Sequence, residues 1–424
     1  MLFSLLALPA LVAGLPSLGS RQDNVHHLPL ARQSLHRRGD FVDVKRVAGS
    51  ARALRAKYGF AAANQLARRA DEPASIDVIN QGGDLRYLAT LNVGTPPQPL
   101  NVILDTGSSD LWFSTTDCQN CPNYVPRFNA SQSSTLNASS TQTVELLYGT
   151  GLNATGTVLQ DAVAVGPYST TQAFTGVTEM YNTSLINGTT SGIFGLAFQN
   201  LTYSGIKPFW LSLFDDGELD SPEFGMYLTD YQGNTTDLTA ENPGGTLTLG
   251  GTNSSLYKGE IEYIPFNSSQ DTFWFQNVSG LTVNGASVEL ESNGTLAIMD
   301  TGSALIAGPT AAVKGFWAQI NGSQALPDIP GFYGFPCETN FTATLAFGGK
   351  AWPIPARDMN AGEIAEGQCL GIFFDAQQGL PAIGSDYPSW IVGDAFLKNV
   401  YMVYRAGDNP AVGYAELADG LRAD

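Results

Sequence analysis

Two aspartates stand in matching surroundings, Asp105-Thr106-Gly107-Ser108 and Asp300-Thr301-Gly302-Ser303. In each copy an apolar run delivers the carboxylate into the turn, and apolar residues lead away from it. The glycine lets the backbone fold tightly beside the carboxylate, and the Thr and Ser hydroxyls can hydrogen-bond it. One copy alone would be an ordinary turn after a strand. A further repeat argues otherwise. Gly192-Ile193-Phe194-Gly195-Leu196-Ala197-Phe198 puts Gly195 90 residues after Asp105, and Trp390-Ile391-Val392-Gly393-Asp394-Ala395-Phe396 puts Gly393 93 residues after Asp300. This pattern reads as a duplication giving two similar lobes, each contributing one carboxylate to a shared site. Two carboxylates within hydrogen-bond reach cannot both ionise cheaply, so they share a proton. The ionised member can then draw a proton from water while the protonated one polarises a carbonyl.

At these motifs the chain resembles the pepsin-like aspartic endopeptidases of secreted, fungal type, over roughly residues 75–424. The resemblance implies a mostly β, bilobal fold with the active site in the cleft between two β lobes. It makes Asp105 and Asp300 the catalytic pair. Ser108 and Ser303 would hold the outer carboxylate oxygens, Thr106 and Thr301 would interlock the turns, and Gly107 and Gly302 would complete them. Gly195 and Gly393 would belong to apolar loops packed beneath. Leu146-Leu147-Tyr148-Gly149-Thr150-Gly151 matches the family's flap, whose tyrosine closes over substrate and would here hydrogen-bond Trp112. A flap tip contributes to the closed complex more than to the core. Ile103, Phe113, Tyr148 and Ile298 are candidate pocket walls, and each could equally be plain core. The implied partners are a protein or peptide substrate and the chain's own propeptide. The enzyme would be a monomer without metal or cofactor.

Those elements need a leader and a body. Met1-Leu2-Phe3-Ser4-Leu5-Leu6-Ala7-Leu8 opens an apolar stretch with small residues at its end, Ala13-Gly14. It is too short to span a bilayer and reads as a secretory signal over residues 1–19, although the usual basic start is missing. Residues 1–71 hold 11 of the 21 Lys and Arg but 4 of the 39 Asp and Glu, a formal +7, leaving −25 on the rest. A basic block ahead of an acidic body suggests an electrostatically docked propeptide, residues 20–69, with a disordered basic tail as the bland alternative. Within it, Ser50 to Tyr58 has a cap residue and good helix formers. Lys57 is the candidate for neutralising the two carboxylates. Arg68-Arg69 and Arg37-Arg38 are dibasic cut sites.

The remaining 355 or so residues are comfortable for two lobes, expected at 70–256 and 257–424. Short alternating runs at residues 87–93, 246–249 and 261–264, with 46 Gly, read as mostly β. Helices are expected from Pro208 to about Leu219 and from Pro309 to Ile320, proline opening each.

Four cysteines remain. Cys118 and Cys121 could be a redox pair or half a zinc site, but a Ser/Asn/Pro-rich loop is a poor redox setting and the three histidines all lie in the propeptide. An oxidising route and the resemblance imply Cys118–Cys121 and Cys337–Cys369 bridges, contributing roughly 2 and 3–4 kcal/mol by chain entropy. Sequons occur at Asn129, Asn137, Asn153, Asn182, Asn187, Asn200, Asn234, Asn253, Asn267, Asn277, Asn293, Asn321 and Asn340. All lie beyond the propeptide, which favours a secreted, extracellular glycoprotein, with delivery to an acidic vacuole as the other route. No membrane or lipid-anchor signal is visible at the C-terminal end. A body at −25 does not suit nucleic acid. The competing readings are a catalytically silent pepsin-like binding or inhibitor protein, which should show damage at an aspartate, a turn glycine or the flap tyrosine, and a structural glycoprotein, which leaves the repeated turns unexplained.

Overall fold

Strand β1 (Gln98–Asp105), which ends on the first aspartate, is buried over its last six residues, as expected of an apolar run covered on both faces. It belongs to a computed structural model describing residues 26–33, 37–38, 41–42, 82–148, 152–181, 186, 188–231, 240–267, 272–291, 295–377 and 388–421. Around it lie β2 (Leu111–Gln119), β3 (Thr143–Leu147), β4 (Asn153–Val165), β5 (Tyr168–Tyr181) and β6 (Thr190–Gly195). β6 runs parallel to β1, with Gly195 opposite Asp105, and antiparallel to β2, with Ile193 opposite Trp112. β2 pairs parallel with β5. β4 and β5 form a long hairpin turning at Gly166-Pro167, where Gly166 has a φ of 52° that favours glycine. β4 alternates buried and partly exposed residues, one face on the core. β3 is the edge strand, antiparallel to β4.

The second half repeats this plan with β7 (Leu296–Met299), β8 (Ile306–Gly308), β9 (Phe373–Asp375) and β10 (Trp390–Val392). β7 is parallel to β10, β10 antiparallel to β8, and β8 parallel to β9. These are the relations among β1, β6, β2 and β5, in the same order. The protein is mostly β, and its two lobes share one local architecture.

One sheet joins the halves. Glu223–Leu228 pairs with Pro243–Leu249 on one side and with Tyr401–Arg405 on the other; Ala411–Leu417 and Tyr257–Pro265 follow. His26–Gln33, from the basic N-terminal segment, lies antiparallel between Pro243–Leu249 and Gly82–Val93. Aromatic rings from both halves meet beneath: Trp274 lies 4.3 Å from Phe198 and 5.2 Å from Tyr404 between centroids, and Phe224 stacks on Tyr404 at 5.0 Å. Such pairs add about 0.5–1.5 kcal/mol each beyond area burial.

The two helices form where expected but stop sooner. α1 is Phe209–Asp215 and α2 is Thr310–Trp317, with Pro208 and Pro309 as the N-cap residues. α1 ends because Gly217 takes a φ of 78°. Its N–H then bonds the Phe214 carbonyl at 3.0 Å, and the Glu218 N–H bonds that of Leu213 at 2.9 Å. The helix expected at residues 50–58 lies outside the described residues. Among the described residues, no helix is long and apolar enough to cross a membrane.

Candidate active site

β1 and β7 bring Asp105 and Asp300 together. Around each carboxylate the same donors recur. Gly107 N–H reaches Asp105 Oδ1 at 3.0 Å, and Gly302 N–H reaches Asp300 Oδ1 at 3.0 Å. The hydroxyls of Ser108 and Ser303 donate to the outer oxygens, Oδ2 in both cases. Below them the threonines interlock: Thr301 N–H donates to Thr106 Oγ1 at 2.9 Å, and Thr106 N–H to Thr301 Oγ1 at 3.1 Å. Each hydroxyl passes its own proton onward, Thr106 to the Met299 carbonyl at 2.7 Å and Thr301 to that of Leu104 at 3.1 Å. A methyl added at Gly302 would lie 2.3 Å from Asp105 Oδ1 and 3.1 Å from Asp300 Oδ1. One point in space therefore touches both carboxylates. Asp105 and Asp300 are 3% and 0% exposed.

The glycine loops hold the turns from below. Leu196 N–H bonds the Asp105 carbonyl at 2.8 Å, and Trp274 Nε1 bonds the Leu196 carbonyl at 3.0 Å. A Cβ at Gly195 would come within 2.2 Å of Ser109 backbone, and one at Gly393 within 2.0 Å of the Ser303 carbonyl oxygen. Only glycine fits this approach.

Tyr148 follows β3. Trp112 Nε1 donates to its hydroxyl at 2.8 Å. That hydroxyl accepts the bond and keeps its own proton to give. Burial first, then the charges of Asp110 and Asp105, hold the phenol well above its ordinary pKa, against the Trp112 bond. Tyr148 is only 9% exposed and belongs to the main apolar cluster. The expectation that it contributes little to the core is corrected: its ring is core, and its oxygen accepts from Trp112. Gly149 and Thr150 lie outside the described residues. Ile103, Phe113 and Ile298 are 3%, 0% and 0% exposed. Phe113 packs edge-on against Phe174 at 5.2 Å, and Ile298 faces Ile391 across β7 and β10. Phe113 and Ile298 are thus packed as core.

Two acids escaped the sequence reading. Asp110 is 2% exposed and accepts the N–H of Tyr203 at 2.7 Å and of Ser204 at 3.1 Å, one on each oxygen. Asp394, 2% exposed, follows Gly393 in the second loop. Burial pushes the Tyr404 phenol far up, and the charges of Asp394 and Asp300 add to this. The repeat itself could have flagged Asp394, because the matching position in the first loop is apolar Leu196.

Both cysteine pairs are bridged, Cys118 to Cys121 and Cys337 to Cys369. Among the described residues, no cluster of His, Cys, Asp and Glu is placed to hold a metal.

Mirrored β-lobes carrying one Asp-Thr-Gly-Ser turn each, interlocked at their threonines, define a bilobal aspartic peptidase. The eukaryotic aspartyl protease family model matches residues 86–417. Major aspartyl peptidase 1 of Cryptococcus neoformans var. grubii is 36% identical over 360 residues, covering 82% of this chain and 71% of that protein. The aspartic protease of Phaffia rhodozyma is 34% identical over 351 residues, covering 80% and 78%. Human cathepsin D is 30% identical over 413 residues, covering 92% and 95%. The chain belongs to the eukaryotic aspartyl protease family and is a pepsin-like aspartic endopeptidase.

Proposed function

We propose that the chain is an exported zymogen whose mature form cuts internal peptide bonds in acid, using a water held between Asp105 and Asp300. The observation that carries this reading is the point at Gly302 that touches both carboxylates. The ionised aspartate takes a proton from the attacking water, and the protonated one hydrogen-bonds the scissile carbonyl. A proton then passes to the leaving nitrogen. Titration belongs to the pair rather than to either residue. The Gly107 and Gly302 N–H groups, with Ser108 and Ser303, fix the carboxylates before substrate arrives. Tyr148, with Gly149 and Thr150, closes over the substrate.

Residues 1–19 direct export, 20–69 form the propeptide, and 70–256 and 257–424 are the lobes. Of the nine sequon asparagines among the described residues none is buried, which suits glycan attachment. Charge supports a docked propeptide, and the pairing of His26–Gln33 within the central sheet adds a backbone ladder to it. On acidification the body's carboxylates take up protons and the attraction falls. The ladder does not titrate, so cleavage near Arg69, or at Arg37-Arg38, completes the release. Lys57 neutralises the dyad until then. The enzyme acts as a monomer outside the cell, or in an acidic vacuole.

Digestion of a denatured protein at acid pH, with and without a statine inhibitor, tests this reading together with N-terminal sequencing across a pH series. Statine-sensitive cuts and a precursor that is silent near pH 7 and shortens to a start near Ala70 are expected. A precursor that keeps residues 20–69 and is fully active would contradict the zymogen reading.

A further inference from the structure

The loop after β6 runs along the open edge of β3. From it, the Tyr203 hydroxyl donates to the Leu147 carbonyl at 3.1 Å, one residue before Tyr148. Gln142, just ahead of β3, donates its side-chain amide to the Ser204 carbonyl of the same loop. The loop is in turn fixed to the catalytic turn's exit by Asp110, whose two oxygens accept the Tyr203 and Ser204 N–H groups. Neighbouring residues of that exit make further ties: Ser109 donates to the Phe198 carbonyl at 2.8 Å, and Trp112 to Tyr148. β3 is thus held twice from residues 109–112, directly through Trp112 and indirectly through Asp110 and Tyr203.

An edge strand presents carbonyls that no neighbouring strand satisfies. The Leu147 side chain offers little anchorage, since it is 41% exposed. Polar ties to its backbone therefore add to the anchorage that buried Leu146 and Tyr148 supply. The phenol of Tyr203 is partly buried and rigid beyond two torsions, so it can hold the carbonyl at small entropic cost.

We infer that Tyr203 is a positioning residue for peptide hydrolysis, a latch that holds the flap's Leu147 carbonyl to the loop anchored by Asp110. The inference rests on the reading that the flap closes over a peptide at the two aspartates. With the latch gone, substrate must order the flap as it binds, so the loss falls on KM.

Tyr203→Phe removes the hydroxyl and keeps the ring. Its expected KM for a long peptide rises about fivefold, the worth of one neutral hydrogen bond, while kcat stays within about twofold. Amide exchange in β3 and the start of β4 should quicken by a similar factor, with β1 and β6 unchanged. Parental KM with parental flap exchange would overturn the latch, as would faster exchange spread evenly over the lobe. If the parent enzyme itself cut no peptide, the hydrolysis reading would fail, and the exchange comparison would still decide whether Tyr203 holds the flap.

Discussion

The hydroxyls of Thr106 and Thr301 each accept the other's backbone N–H, at 2.9 and 3.1 Å, so neither aspartate turn is complete without its partner. Valine keeps the threonine shape but leaves one N–H and one carbonyl unpaired in a dry site. Thr106→Val and Thr301→Val should each lose roughly 2–4 kcal/mol of stability, from unsatisfied groups costing about 1–3 kcal/mol apiece. The double variant should lose less than the sum, because both act in one network. Denaturant unfolding of the three proteins measures this, and additive losses would mean that the threonines act independently.

Gly302→Ala probes the shared point between the carboxylates. The methyl would lie 2.3 Å from Asp105 Oδ1 and must push it away. A displacement of about 1 Å at reacting groups can cost about 100-fold in rate, and a loss at least that large is expected. Assay of the folded variant checks it; near-parental turnover would mean that Asp105 need not stay where it is.

Tyr148→Phe separates the oxygen of Tyr148 from its ring. It leaves buried Trp112 Nε1 without its acceptor, and kcat/KM should fall by about tenfold. Trp112→Phe added to it should cost little more, since the pair is already broken. Steady-state kinetics on both single variants and the double variant decide this.

The doubled aspartate turn and its glycine loop were legible because they are local, repeated and nearly equally spaced. The strands at residues 87–93, 246–249 and 261–264 were legible from alternation. The return of Tyr401–Arg405 to pair with Glu223–Leu228 was not, since strand pairing across such separations leaves no local pattern. Asp110 and Tyr203 were missed for the same reason: they lie 93 residues apart, and the Leu147 carbonyl lies 56 residues from Tyr203. The early end of α1 could have been read from Asp215-Asp216-Gly217, a glycine stop. Tyr148 looked like a flap tip only, because sequence cannot tell that a hairpin aromatic turns inward.

Glu223 should make stability depend on pH. Burial raises its pKa, against the Tyr263 hydrogen bond and the Arg405 charge. A carboxyl with a raised folded pKa binds its proton more tightly when folded. Its stabilising contribution is therefore present below the unfolded pKa and is lost as pH rises through the folded one. Glu223→Gln should match the parent near pH 3 and melt slightly higher near pH 7, by no more than about 2 °C. Thermal melts at both pH values test the sign; a lower melting point for the variant near pH 7 would reverse it.

On the proposed mechanism, Asp105 and Asp300 activate water only together. Asp105→Asn and Asp300→Asn keep the shape of each side chain and remove the carboxylate that shares the proton. The decisive measurement is hydrolysis of a denatured protein in acid by the parent and each variant, purified free of other peptidases and matched in thermal midpoint. Cleavage by the parent and none above background by either variant is expected. Near-parental cleavage by either one would contradict the mechanism.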